Sequence, residues 1–163
     1  MPFEQARFSG EADMTVPQCL HEVSLEISQQ AIQAYAGLTN DYNPIHLDSD
    51  FASKTQMGGV IAHGTMSVCL IFLSLEQTFP DLDFADMKID IKFTSPVRIG
   101  DVVRAGGQAD PEQPGHFDVW VRGQDDGVRI AGTAIVAENA WRALKVTAIT
   151  PTTTSMPSNQ KTD

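Results

Sequence analysis

The order of patterns along the chain predicts an α+β fold, one antiparallel sheet carrying its helices on a single face. Three observations point there. One alternating segment is followed by two helical segments, with a short third between them, and then by four more alternating segments. The alternating segments are short and separated by turns rich in Gly, Pro and Asp. One helix is apolar nearly all round and has to be covered by the rest of the chain.

Residues 1–19 hold Pro2, Gly10 and Pro17 without a sustained period and are expected to be an N-terminal extension. From His21 to Ile27, Val23, Leu25 and Ile27 alternate with Glu22, Ser24 and Glu26, the period of a half-buried strand. Ser28 is placed to cap a helix whose apolar stripe, Ala31, Ile32, Tyr35 and Ala36, ends near Leu38. Thr39 to Asn43 is then a turn, because Pro44 disfavours the helical conformation at Asn43 and has no N–H to donate. Asp48 caps a short helix over Ser49 to Lys54, which Gly58-Gly59 breaks. Thr65 to Gln77 is the apolar helix, with Met66, Val68, Cys69, Leu70, Ile71, Phe72, Leu73 and Leu75. Four strands follow, Lys88 to Phe93, Val102 to Ala105, Phe117 to Arg122 and Val128 to Ala137. Gly106-Gly107, Pro114-Gly115 and Gln124 to Gly127 supply the turns between them. The domain proper covers residues 20–138. Residues 139–163, with the Thr, Ser and Pro of positions 150–158, form a tail predicted to be partly disordered.

A chain of 163 residues has room for one domain. Asp and Glu number 21 against 11 Lys and Arg, a formal charge of −10 with no basic run. That balance excludes nucleic acid and an anionic membrane surface as partners, and an anionic ligand would need a local basic patch. Two cysteines, Cys19 and Cys69, make no disulfide framework, and Met1-Pro2-Phe3-Glu4 has neither the basic segment nor the apolar run of a secretion signal. A cytoplasmic protein is expected. Residues 55–75 contain no Asp, Glu, Lys or Arg, the length of a membrane span. Gly58, Gly59, His63 and Gly64 interrupt that stretch, which predicts a helix buried on every side of a soluble domain instead.

Asp41-Tyr42-Asn43-Pro44-Ile45-His46 sets a carboxylate and an imidazole five positions apart, about 16 Å in an extended chain. A turn at Pro44 would bring them to one side, where His46 serves as acid or base and Asp41 orients it or shares the proton. Asn43 could hold the loop or a bound carbonyl. Further on, Gly58-Gly59-Val60-Ile61-Ala62-His63-Gly64 runs into the apolar helix, whose start offers unpaired N–H groups and a positive dipole end. Gly64 has no side chain to block approach, so its N–H could receive an oxyanion; equally, Gly64 could be a tight helix entry and His63 a cap.

Asp41-x-Asn43-Pro44-Ile45-His46-x-Asp48, Phe51-Ala52 and Gly59-Val60-Ile61-Ala62-His63-Gly64 together resemble the MaoC-like branch of the hot-dog fold, in particular (R)-specific enoyl-CoA hydratases. The resemblance implies a sheet wrapped around its long helix and a homodimer, or a higher assembly of dimers. It implies an acyl thioester of coenzyme A or acyl carrier protein as substrate, and reversible hydration of a trans-2-enoyl-CoA to the (R)-3-hydroxyacyl-CoA. Asp41 and His46 are then the catalytic pair, with Asn43, His63 and Gly64 at the substrate and the Gly64 N–H on the thioester oxygen. Which of the pair makes each proton transfer stays open. No cofactor is called for. Some members carry a helix serine facing the site, where this helix has Cys69 and Phe72.

Lys88, Lys92 and Arg98, with Arg104 nearby, are candidates for the phosphates of coenzyme A, or else a solvated face. No metal is expected, since Asp48 acts as a cap and Asp50 as a first-turn charge. Cys69 is expected to be an inert core thiol. The remaining readings are a hydratase for a branched or dicarboxylic enoyl-CoA, an acyl-CoA thioesterase, and a non-catalytic acyl-CoA-binding module. The last has no need of both Asp41 and His46.

Overall fold

The computed structural model describes residues 16–141. Five strands, β1 (Val23–Glu26), β2 (Lys88–Phe93), β3 (Val102–Ala109), β4 (His116–Gly123) and β5 (Val128–Ile135), form a 5-stranded antiparallel sheet in the order β1-β3-β4-β5-β2. The helices are α1 (Gln29–Thr39), α2 (Pro44–Leu47), α3 (Ser49–Ser53) and α4 (Gly64–Thr78), with a 3₁₀ turn over Phe84–Asp86. The α+β class is the one the patterns predict. Most of the expected N-terminal extension and most of the expected tail lie outside the described residues. Where the two border on the domain, Gln18 and Leu20 hydrogen-bond β3, and Ala140 is buried in the core.

Local chemistry accounts for the helix starts. The Ser28 side chain accepts from Ala31 N at 3.0 Å, and Asp48 Oδ1 accepts from Asp50 N and Phe51 N at 2.9 and 3.0 Å, each meeting a donor that helix geometry leaves unpaired. α1 ends on Asn40, whose φ of 56° is left-handed and whose N–H returns to the Ala36 carbonyl. Directly after the expected turn, and before the Asp48 cap, stands a further helix, α2. Pro44 occupies its first turn, where no N–H is needed, and the Asn43 side chain accepts from Ile45 N at 3.1 Å.

Two expectations are corrected. Gly106-Gly107 is not a turn but the buried middle of β3, which continues to Ala109. A Cβ at Gly106 would lie 2.8 Å from the Trp120 ring, and one at Gly107 would lie 2.7 Å from the Asp118 carbonyl oxygen. Glycine stands there because the neighbouring strand and the Leu20 side chain come too close for anything larger. Nor is α4 buried on every side. Met66, Ser67, Leu70, Ile71, Ser74 and Leu75 face inward, whereas Cys69 and Leu73 are exposed. The buried face packs on β1, β3 and β4 against residues including Val103, Ala105, Val119 and Val121. Full burial of Leu70, Ile71 and Leu75 stabilises the domain by about 1.5–3 kcal/mol for each side chain. Among the described residues no helix is long and apolar enough to cross a membrane.

Candidate active site

The loop from α1 to α2 and the entry to α4 meet at one place. Asp41 follows the left-handed Asn40, and its Oδ1 accepts from Asn43 N at 3.2 Å. That contact and the Asn43 cap compress the segment, so the five-residue separation no longer keeps Asp41 from His46. The ligating atoms of Asp41, His46 and His63 all lie within 4.8 Å of one another.

His46 is partly buried, and its Nδ1–H donates to the Ile61 carbonyl at 2.8 Å. In the neutral ring that bond fixes the tautomer and leaves the lone pair on Nε2. The His63 ring stacks on it with centroids 3.9 Å apart and an interplanar angle of 29°. His63 stands at the N-cap of α4, yet its side chain makes no capping bond. Instead its buried Nε2–H donates to the Asp41 backbone carbonyl at 3.0 Å, with Asp41 Oδ2 at 3.9 Å. Tyr35 completes a run of three rings, its centroid 5.2 Å from that of His63. Burial raises the Tyr35 phenol above its ordinary value of 10.0, with a hydrogen bond to Thr65 acting in the opposite sense. The composition Asp41, His46, His63 could ligate a divalent cation through His63 Nε2 only if that atom gave up its proton and its bond to Asp41.

Beside His46 opens a mostly apolar cavity of about 340 Å³. Its lining includes His46, Ile61, Gly64, Ser67, Phe93 and Arg129. Gly64 begins α4, and among the described residues no group accepts a hydrogen bond from its N–H. A Cβ there would lie 2.8 Å from the Phe93 ring, so the lack of a side chain is what lets Phe93 close over the helix start.

The anticipated basic residues sit elsewhere. Lys88 and Lys92 are exposed and alternate with Ile89 and Ile91, which pack on the core, so the pleat turns the two lysines away from the face that carries Phe93. Arg98 donates from Nη2 to the Met57 carbonyl and does not line the cavity. Arg104 is paired with Glu22 and Asp126. Among the described residues the cation on the cavity is Arg129, which carries no signal in the sequence because it lies in an ordinary strand pattern. Its Nη2 donates to both oxygens of Asp125 at 3.0 and 3.2 Å. This contact and the Gly127 N–H hold the Asp125 carboxyl below its usual range.

Cys69 and Phe72 do not line the cavity either. Cys69 is an exposed thiol 3.8 Å from the Tyr35 hydroxyl, correcting the expected core position, and Phe72 meets the Phe84 ring edge-on at 5.4 Å. From α4 the cavity is lined by Gly64 and Ser67; a lone serine in an apolar run carries no periodic signal in the sequence.

Residues 13–121 match the family model of the MaoC like domain. The chain is 40% identical over 78 residues to a 3-hydroxybutyryl-CoA dehydratase of Methylorubrum extorquens, covering 48% of this chain and 50% of that protein. It is 39% identical over 79 residues to an (R)-specific enoyl-CoA hydratase of Rhodospirillum rubrum, covering 48% and 55%. The match thus spans about half the length of these relatives. Among solved structures, the (R)-hydratase from Aeromonas caviae involved in PHA biosynthesis superposes with a TM-score of 0.62 at 26% identity, over 77% of this chain and 97% of that one. The shared architecture, an antiparallel sheet packed on one long helix, is the hot-dog fold.

Proposed function

Because the chain belongs to the MaoC-like domain family, we propose that it catalyses the reversible hydration of a trans-2-enoyl-CoA to the (R)-3-hydroxyacyl-CoA. The observation that carries this reading is the convergence of the Asp41 carboxylate and the His46 imidazole, within 4.8 Å, with His46 lining an apolar cavity that also contains the start of α4. Asp41 and His46 hold a water molecule. One of them takes a proton as the water oxygen bonds to C3; the C2–C3 π electrons move toward the thioester oxygen, and a proton is returned to C2 on the same face. The Gly64 N–H, at the positive end of α4, receives the developing negative charge. Asn43 holds the Asp41 loop, and His63 backs both members of the pair.

The purified protein should consume the conjugated-enoyl absorbance of a 2-enoyl-CoA and release the (R)-alcohol. Asp41→Asn and His46→Gln should each lower kcat by ~10²-fold or more. Full activity in both variants would sink the assignment. Release of free coenzyme A thiol would point to a thioesterase, and tight acyl-CoA binding without turnover to a binding module. A second reading, hydration of a dicarboxylic enoyl-CoA, draws on Arg129, the cation lining the cavity. A panel comparing ω-carboxylated and unsubstituted acyl groups of equal length separates the two.

We include a homodimer in the proposal. β2 is an edge strand whose outer side has no neighbour among the described residues, and Phe93 at its end is 55% exposed. Such an edge is suited to pairing with a second copy. Light scattering should return twice the chain mass. The cysteines Cys19 and Cys69 are free thiols, as suits a cytoplasmic setting.

A further inference from the structure

We infer that the Ser67 hydroxyl is a second hydrogen-bond donor to the thioester oxygen, acting together with the Gly64 N–H; this rests on the hydratase reading. α4 contains two fully buried serines, and their contrast carries the argument. Ser74 is 0% exposed and satisfied, its Oγ donating to the His21 carbonyl at 2.6 Å across to the approach to β1. Ser67 is 2% exposed, and its Oγ has no partner among the described residues. A serine inside a helix ordinarily donates to the carbonyl four residues back. For Ser67 that is the His63 carbonyl, and its Oγ makes no such bond. A buried hydroxyl left unmatched costs stability, so a helix that tolerates one generally gains by it elsewhere.

Ser67 belongs to the lining of the cavity, together with Gly64 and His46. Residues three apart on a helix stand on one face, about 5–6 Å from each other, so an oxygen seated against the Gly64 N–H lies within reach of the Ser67 hydroxyl. Much of the surrounding lining, including Ile61, Ala62, Val97 and Ile130, is apolar and offers an oxygen no hydrogen bond through its side chains. Two donors at one oxygen, at the positive end of a helix, form a site for charge that appears as water adds. No atom of Ser67 changes bonding in the reaction; its proton stays on Oγ.

The test compares Ser67→Ala, Ser67→Cys and Ser67→Thr with wild type on a 2-enoyl-CoA that wild type hydrates. Ser67→Ala and the near-isosteric but weakly donating Ser67→Cys should each lower kcat by ~10- to 10²-fold with KM changed less than ~3-fold, while Ser67→Thr, which keeps a hydroxyl, should retain most of the rate. The melting temperature of Ser67→Ala should be unchanged or raised, because the substitution removes an unmatched buried hydroxyl. A purely structural serine would give the opposite, a lower melting temperature with wild-type kcat in the folded protein. Wild-type kcat in both Ser67→Ala and Ser67→Cys overturns the inference and leaves the hydratase reading standing. Absence of turnover in wild type across acyl groups overturns that reading instead. If Ser67→Ala does not fold, Ser67→Cys decides.

Discussion

At the residue scale the site is a small set of mutual constraints. His46 has one nitrogen held by the Ile61 carbonyl and one face covered by His63, which in turn holds the Asp41 carbonyl. A ring restrained on an edge and a face presents Nε2 in one direction, which is what a proton transfer needs. His63→Leu keeps much of the volume but loses the N–H. It should lower stability by about 1–2 kcal/mol, measured by urea denaturation, and lower kcat more than it raises KM, since Asp41 and His46 both lose a support. The motif from Asp41 to His46 was legible in the sequence because it is local and uses rare chemistry at short spacing. Ser67 and Arg129 were not, because each is an ordinary residue for its element and becomes distinctive only by facing the cavity.

At the scale of elements, helix starts were readable wherever a capping side chain stands at the boundary. Ser28 and Asp48 both cap as their positions suggest. Ser28→Ala and Asp48→Ala should each cost about 1 kcal/mol, read as a lower denaturation midpoint with an unchanged slope. Loss of the Asp48 cap should also slow turnover, since α3 directly follows the helix that carries His46. The short α2 is not legible in the sequence because proline ordinarily breaks helices, although at the first turn it starts one. The full length of β3 is hidden in the sequence for a related reason. Glycine weakens a strand unless something fills the space, and the filler, Trp120 of β4 against Gly106, is distant in sequence.

For the molecule as a whole, charge and topology set the remaining expectations. Asp125 in the β4–β5 turn is bridged to Arg129 on the cavity wall, and the bridge lowers its pKa. A carboxyl whose folded pKa lies below its unfolded value stabilises the fold above the ordinary carboxylate range and loses that contribution as pH falls through the lowered value. The gap in urea midpoint between wild type and Asp125→Asn should therefore be present at neutral pH and close in acid; a gap that persists unchanged in strong acid would contradict the bridge. Both partners reach solvent, so the effect is screened by salt.

What the sequence determined by itself is what depends on neighbours within a few positions: strand alternation, most helix caps, the α+β order, and the Asp41-to-His46 motif entering ahead of an uncharged helix. What only the tertiary structure decided depends on contacts between distant segments. The stack of His46 on His63, the glycines under Trp120 and Phe93, the exposed side of α4 and the inward turn of Ser67 all belong to it. The uncharged stretch of residues 55–75 shows the division. Its composition says that water is largely excluded, but whether by sheet, by cavity or by a second copy of the chain is set by what packs against each face. Side-chain period records one face at a time, and burial is a property of pairs of surfaces.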